Sequence, residues 1–197
     1  MKSSYPETYQ YFLQNRSKLE SRTDYGKDKG PFYMVFRLSE SKNVKWKVAY
    51  RDISTQLEAC VIPESYECTW GKRDLLIDHS AYFVATNSES ESYFVTGLLN
   101  SLPCRSFVQG LGRPKGGVPF IGIVQWMIAS LPIPRFDPKN VDHQEVVKLS
   151  RQAHKNPEEA GAEAQERIDS SALKVYGLSA HDRESLVKHF KMLRGDL

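Results

Sequence analysis

The sequence predicts a mixed α+β fold, and two observations carry that prediction. Three short segments with strand-like composition, residues 45–51, 57–62 and 82–86, lie close together in the first half of the chain. From residue 141 onward, apolar residues instead recur at helical spacing. Strands that follow one another closely favour an antiparallel sheet. We therefore expect a mixed, mostly antiparallel sheet with flanking helices and a C-terminal helical extension.

The first half supplies one helix and the predicted strands. A proline at residue 6 and apolar residues spaced three or four apart predict a helix that ends near Glu20. Residues 32–38 are rich in aromatic and aliphatic side chains, which favours a strand. Residues 45–51 alternate charged and apolar side chains, as a strand with one wet face does. Further short strands are predicted at residues 57–62, 75–78 and 82–86.

The middle of the chain breaks the strand pattern. Asn87 or Ser88 is placed to cap a helix over residues 89–102. Residues 110–117 form a basic, glycine-rich loop. Residues 120–131 are continuously apolar, which fits a buried strand and does not exclude a helix.

The C-terminal part is predicted to be helical from Val141. Asn156 and Pro157 have the pattern of a cap followed by a proline at the first helical position, and Gly177 is placed to end that helix. The segment from Ser179 to Asp182 predicts a capping box for a last helix. We divide the chain into a first domain, residues 1–155, and a helical segment, residues 156–197.

Positive charge is concentrated in two patches, although the net charge is only +3. Residues 27–51 hold seven basic and two acidic side chains, and residues 92–136 hold four basic side chains and no carboxylate. Phosphate binding needs such concentration, because each neutralised phosphate releases a condensed counterion. A solvated basic face without a partner explains the charge equally well. The candidate DNA contacts in these patches are Lys27, Lys29, Arg37, Lys47, Arg51, Arg105, Arg113 and Lys115.

Within these patches, the loop at residues 110–117 is the leading candidate. Its glycines let backbone amides approach phosphates, while Arg113 and Lys115 supply charge. Arg37, Lys47 and Arg51 are the next candidates, since on alternating strand positions they can share a face and an arginine can read guanine. A flexible turn and a salt-bridged sheet face are the corresponding structural alternatives.

A series of local patterns gives the chain a family resemblance. In order they are residues 97–101 (GLLNS), the basic loop, residues 131–138 (LPIPRFDP) and residues 142–154. Residues 9–22, 32–37 and 46–51, and the segment from Arg167 to Ser179, extend the series. This order resembles the target-recognition region of adenine-specific DNA methyltransferases from restriction–modification systems, including fused restriction–methylation enzymes. The resemblance implies a domain that reads duplex DNA.

The motifs of the catalytic half of that family do not occur in the chain. It has no Pro-Pro dipeptide, so the Asn/Asp-Pro-Pro-Tyr/Phe motif that grips the target adenine is missing. No glycine-rich turn for S-adenosylmethionine follows an early strand. The resemblance therefore implies a recognition half with no catalytic residue and no cofactor of its own. Its implied partners are double-stranded DNA and a catalytic methyltransferase domain or subunit that uses S-adenosylmethionine.

Other classes of function are weaker. The five histidines and three cysteines show no metal-ligand spacing, so we expect no metal site. No apolar run has the roughly 18 residues that a membrane helix needs, and no signal-peptide core is present, so we expect a cytoplasmic chain without a membrane partner. The remaining alternative is a specificity subunit that docks a methyltransferase or nuclease through residues 120–134, without major base readout.

Overall fold

The computed structural model describes residues 1–22, 30–34, 44–78, 80–114, 120–158 and 161–195. These residues form helices and antiparallel sheets, which confirms the α+β fold class. The helices are α1 (Pro6–Gln14), α2 (Arg16–Glu20), α3 (Glu89–Leu99), α4 (Leu102–Leu111), α5 (Gln125–Ala129), α6 (Val141–Lys155), α7 (Ala162–Val175) and α8 (Ala180–Arg194). The strands are β1 (Trp46–Arg51), β2 (Ile53–Ser54), β3 (Ala59–Pro63), β4 (Ser65–Cys68), β5 (Gly71–Asp74), β6 (Ala81–Thr86), β7 (Arg113–Pro114) and β8 (Ile121–Gly122).

β1 is the central strand of a three-stranded antiparallel sheet with the order β3-β1-β6. Val48 lies opposite Val61 on β3 and Val84 on β6. Alternate side chains of a strand point to opposite faces, and Val48 and Tyr50 bury one face of β1 against α3 in the main core. The β-branched and aromatic residues of this segment explain why it forms a strand.

Two smaller antiparallel pairings complete the described strands. β8 lies between β2 and β7, and β4 pairs with β5 as a hairpin. Asp52 separates β1 from β2, and its carbonyl oxygen accepts a 2.7 Å hydrogen bond from the Ile123 N–H. The end of the central sheet is thereby tied to the second sheet.

The helices pack closely where side chains are small. A Cβ atom at Gly97 of α3 would lie 2.6 Å from Val146 Cγ1 on α6, so this helix crossing needs glycine. Val146 is fully buried and has little room to move. Neighbouring pairs α6–α7 and α4–α8 are also in contact. The late helices therefore pack against the helices that follow the central sheet.

The contacts divide the chain into two compact units, Met1–Leu38 and Ser39–Leu197. Both α7 and α8 lie in the second unit. The domain boundary predicted after residue 155 stays a prediction.

The first unit holds an aromatic cluster. The Phe12 ring stacks on Tyr33 with centroids 5.7 Å apart, and Tyr9 meets Tyr33 edge-on at 5.9 Å. Arg22 Nη2 donates a 2.9 Å hydrogen bond to the Phe32 carbonyl oxygen. This contact ties the C-terminal end of the helical segment to the cluster.

Most predicted elements are confirmed, including the helix capped by Ser88, whose side chain accepts a hydrogen bond from Glu91 N. Both halves of the capping box at Ser179 and Asp182 are present. The segment at residues 120–131 holds both a short strand, β8, and a short helix, α5.

Several local predictions are wrong. Phe32, Tyr33 and Met34 lie in a turn closed by a Met34 N–H to Pro31 carbonyl bond, so these residues of the predicted strand are not extended; residues 35–38 lie outside the described part of the chain. Residues 75–78, predicted to be a strand, form no strand; the preceding residues form the β4–β5 hairpin, which ends at Asp74. Asn156 ends α6 and does not begin the next helix, which starts at Ala162 after Gly161.

His154 connects α6 to β3 and makes stability depend on pH. Its Nε2 accepts a 2.9 Å hydrogen bond from Val61 N–H, while Nδ1 lies 3.1 Å from the Ser150 carbonyl oxygen. This pattern fits a neutral imidazole with the proton on Nδ1. Burial lowers the His154 pKa below 6.5, opposed by the bond to Ser150.

A lowered folded-state pKa means that the unfolded chain binds the proton more tightly. The stabilising contribution is therefore complete above pH 6.5 and is lost as the pH falls through the folded pKa. We expect the urea midpoint of the wild type to fall on acidification more than that of His154→Gln, which keeps a donor and an acceptor but does not titrate. Equal losses in the two proteins would rule out this role for His154.

Candidate nucleic-acid interface

One arginine from each basic patch lies at or beside the second sheet, Arg113 within it and Arg51 at the end of the central strand that leads into it. Arg113 of β7 and Ile53 of β2 both lie opposite Gly122, on the two sides of β8. Arg51 is the last residue of β1, two positions before Ile53. Arg51 and Arg113 are both exposed, and neither forms an ion pair with a carboxylate in the described ranges.

The two faces of this sheet differ. Residues opposite one another in an antiparallel pair share a face, so Ser54, Ile121 and Pro114 form one face. Ser54 and Ile121 are buried, which makes that face the inner one. Ile53 and Arg113 therefore lie on the outer face, with Gly122 between them and no side chain above it.

The spacing of the two arginines suits one duplex. Neighbouring strands are about 4.8 Å apart, so the Cα atoms of Ile53 and Arg113 are separated by roughly 10 Å. Two residues of chain add at most about 7 Å between Ile53 and Arg51. The Arg51–Arg113 separation is thus no more than about 17 Å, or half a helical turn of B-DNA.

The predicted basic glycine loop has more regular structure than expected. Gly110 and Leu111 belong to α4, and Gly112 caps that helix in an extended conformation. A Cβ atom at Gly112 would lie 2.8 Å from Ile121 Cδ1 and 3.0 Å from its Cβ. Glycine is needed here so that β7 can approach β8. This close approach fixes the position of the Arg113 backbone in β7.

Lys47 does not reach the surface. Its side chain is 1% exposed, and Nζ donates a 2.8 Å hydrogen bond to the Val44 carbonyl oxygen. Burial lowers the Lys47 pKa, and the carboxylates of Glu64 and Asp74 oppose that shift. Although Lys47 shares a strand face with Arg51, its position offers no surface to a phosphate, and we leave it out of the interface.

Arg105 has a structural position in α4. Its side chain is 13% exposed, and Nη2 lies 3.7 Å from Asp169 Oδ2 of α7. The guanidinium carbon is 5.6 Å from the centroid of the Phe190 ring on α8. Burial lowers the Arg105 pKa while Asp169 raises it, and arginine remains charged in this setting. Arg105 therefore joins three helices, and we leave it out of the interface too.

Four other candidates fall outside the described residues. They are Lys27, Lys29, Arg37 and Lys115.

The apolar stretch at residues 120–134 packs mainly inside. Ile123 and Met127 are buried in the main core. Phe120 and Trp126 are the exceptions, at 43% and 56% exposed. Both flank β8 in sequence, so two exposed aromatic rings lie close in sequence to the strand that pairs with β7, which holds Arg113. Sequence reasoning missed them because a continuous apolar run carries no sign of which members face outward.

A cavity of about 540 Å³ adjoins Arg51 on the central sheet. Ala49 and Ala81 line it from the sheet, and Leu76 and Ile77 line it from the segment after β5. Carboxylates of Glu58 and Asp78 share the lining with Arg51. This mixture of apolar walls and both charge signs does not select one ligand class.

The described residues hold no group of three or more metal-ligating side chains. Cys104 is buried, and its burial raises the thiol pKa to about 11, which makes it a poor nucleophile at neutral pH. No helix within the described ranges has both the length and the apolarity to cross a membrane. His143 accepts a 3.1 Å hydrogen bond from Asp137 N–H at the start of α6, a structural position.

The chain matches no protein-family model and no curated protein sequence.

Proposed function

We propose that this chain is a DNA target-recognition domain that selects the sequence in which a partner catalytic domain methylates adenine. The observation that carries the proposal is the short distance, at most about 17 Å, between Arg51 and Arg113, which belong to separate basic patches and lie on or next to the strands that pair with β8. Both side chains are exposed, and Gly122 leaves the outer face of β8 open between Arg113 and Ile53, two residues after Arg51. The order of sequence motifs that resembles adenine methyltransferases supports the same conclusion.

The arginines, the exposed apolar side chains and the partner domain have different proposed roles. Arg51 and Arg113 contact phosphates and orient the domain, because such contacts fix register without reading sequence. The exposed apolar side chains of Ile53, Phe120 and Trp126, on or beside the strands of this sheet, are the proposed contacts to base edges or sugar. The partner domain binds S-adenosylmethionine and flips the target base. In a fused enzyme the same recognition also positions a nuclease, and both reactions take place in the cytoplasm.

Selection from a pool of random duplexes tests sequence recognition. We expect repeated rounds of capture on the immobilised full chain to enrich one short sequence, whereas the Arg51→Ala/Arg113→Ala double variant captures little duplex. The full chain alone, incubated with that duplex and labelled S-adenosylmethionine, should transfer no methyl group. Capture without enrichment would reduce the role to nonspecific binding, and methyl transfer would refute the assignment to a recognition domain.

The docking alternative makes a different prediction. Phosphate contacts weaken steeply with salt, whereas an apolar protein interface responds little. Because Ile123 and Met127 are buried, the large apolar side chains that residues 120–134 expose are those of Phe120 and Trp126, which are separate in sequence and give a partner no continuous apolar stretch. We therefore favour DNA as the ligand of this surface.

A further inference from the structure

The β4–β5 hairpin carries a tryptophan at its tip. Cys68 lies opposite Gly71, so Thr69 and Trp70 alone connect the two strands. Gly71 has a φ of 82°, a left-handed conformation that glycine adopts without strain. Trp70 is 78% exposed, and Tyr66 on β4 of the same hairpin is 62% exposed. The ring is therefore available to a ligand at the tip of the hairpin, and its π-face and indole N–H suit it to contact one.

The charges of the hairpin are unevenly distributed between its faces. Glu67 and Lys72 lie opposite one another and share a face, where their charges offset. Tyr66 and Arg73 form the other face, which has no carboxylate. At the base of the hairpin, the negative charge of Glu64 acts on the buried Lys47 ammonium, and so does that of Asp74.

The hairpin therefore has a cation and an aromatic ring on the face without carboxylates, Arg73 and Tyr66, and a second exposed aromatic ring, Trp70, at its tip. Among the described residues, Arg73 Nη1 donates a 3.0 Å hydrogen bond to the neighbouring Lys72 carbonyl oxygen, and Arg73 forms no ion pair with a described carboxylate. A protein partner would need a continuous apolar patch around Trp70, but Glu67, Thr69 and Lys72 next to it are polar and exposed. A nucleic acid needs the combination that is present, a π-face for a base and a cation for a phosphate.

We propose that the β4–β5 hairpin is a stacking wedge for duplex DNA, with Trp70 stacking on a base at an opened step and Arg73 contacting a nearby phosphate. This inference rests on the proposed function, because it assumes that the chain binds DNA. A two-stranded ribbon has the width to enter the major groove. Apolar wedges that enter a base step partly unstack it and kink the duplex.

Fluorescence of Trp70 tests the stacking directly. The chain has three tryptophans, so a Trp46→Phe/Trp126→Phe variant of the full chain reports Trp70 alone. The probes are a labelled duplex of about two helical turns and the same duplex with one central abasic site. We expect DNA binding, followed by anisotropy of the label, to quench the Trp70 emission, more strongly with the abasic duplex because no base must be unstacked there.

Affinity in the otherwise native chain gives a second measurement that does not depend on that variant. Base–aromatic stacking predicts that Trp70→Ala weakens abasic-duplex binding by roughly fivefold to a hundredfold. It should also abolish the preference for the abasic over the intact duplex. Arg73→Ala should weaken both duplexes, whereas the matched control Lys72→Ala, with the same charge change one residue earlier, should weaken them less.

The outcomes separate the two proposals. If the full chain binds duplex DNA while the Trp70 emission and the affinity of Trp70→Ala are unchanged, the wedge is overturned and the Arg51–Arg113 interface stands. If Arg73→Ala and Lys72→Ala have equal effects, the phosphate contact of Arg73 is wrong. If the full chain binds neither duplex, the proposed function fails and the wedge fails with it.

Discussion

Replacing Arg51 and Arg113 together with alanine is expected to weaken duplex binding by about a hundredfold to ten-thousandfold at low salt. Hydrogen bonds to charged groups contribute about 1.5–3 kcal/mol each, and 1.4 kcal/mol corresponds to a factor of ten. Each phosphate contact also contributes about 0.9 to the slope of log affinity against log salt. The double variant should therefore have a slope smaller by roughly 1.8.

Lys47→Met is the matched control for this prediction. It removes a positive charge from β1, on the same strand face as Arg51, but from a side chain that is 1% exposed. Its affinity and salt slope should equal those of the wild type once the folded fraction is checked by circular dichroism. If Lys47→Met weakened DNA binding as much as Arg51→Ala, the total positive charge of the protein would explain the binding. The proposed contacts of Arg51 and Arg113 would then be wrong.

The second large effect is expected at Asp169, which fixes the start of α4. Its Oδ1 accepts hydrogen bonds from Leu102 N–H at 2.7 Å and from Gln165 Nε2 at 2.8 Å, while Oδ2 faces Arg105. A carboxylate at a helix N-terminus also interacts favourably with the helix dipole. Burial raises the Asp169 pKa, and these hydrogen bonds oppose the shift.

Asp169→Ala should lower the free energy of unfolding by about 3–5 kcal/mol, because it leaves the Leu102 N–H and the mostly buried Arg105 without their partner. Asp169→Asn retains an oxygen for Leu102 and should cost about 1–2 kcal/mol. Urea unfolding of both variants measures the difference. Equal losses would show that the charge, and not the hydrogen bond to α4, is what matters.

The Asp169 contact also affects the position of Arg113 in the proposed interface. α4 begins at the Asp169 contact and ends at Gly112, directly before Arg113. The position of β7 therefore depends on how the first turn of α4 is held. The hydrogen bonds that Asp169 accepts from Leu102 and Gln165 give a physical reason for a carboxylate at this position.

Local signals explain which elements the sequence predicts correctly. The capping box at Ser179 and Asp182 depends on residues three apart, and β1 depends on an alternation within six residues. Neither needs knowledge of the rest of the fold. The helix α4 was missed because Pro103 near its start and Gly110 near its end resemble loop residues, although a proline is well tolerated in a first helical turn.

The members of the candidate site were harder to predict from the sequence, because the sequence does not show which basic side chains are buried. Nothing within a few residues distinguishes Lys47 from Arg51, yet one is enclosed and the other exposed. Arg105 likewise meets Asp169 and Phe190 from distant parts of the chain. Such pairings depend on tertiary contacts, so the sequence identifies the basic patches but not which members face outward.

An NMR titration of the isotopically labelled full chain with duplex DNA tests the central claim most directly. At low salt, we expect the largest amide shifts at residues 51–54, at Arg113 and at residues 120–122, with small shifts along α6 and α7. The Arg51→Ala/Arg113→Ala variant should lose most of them. Shifts concentrated on α6 and α7, with residues 51–54 and 120–122 unchanged while the DNA is bound, would contradict the account.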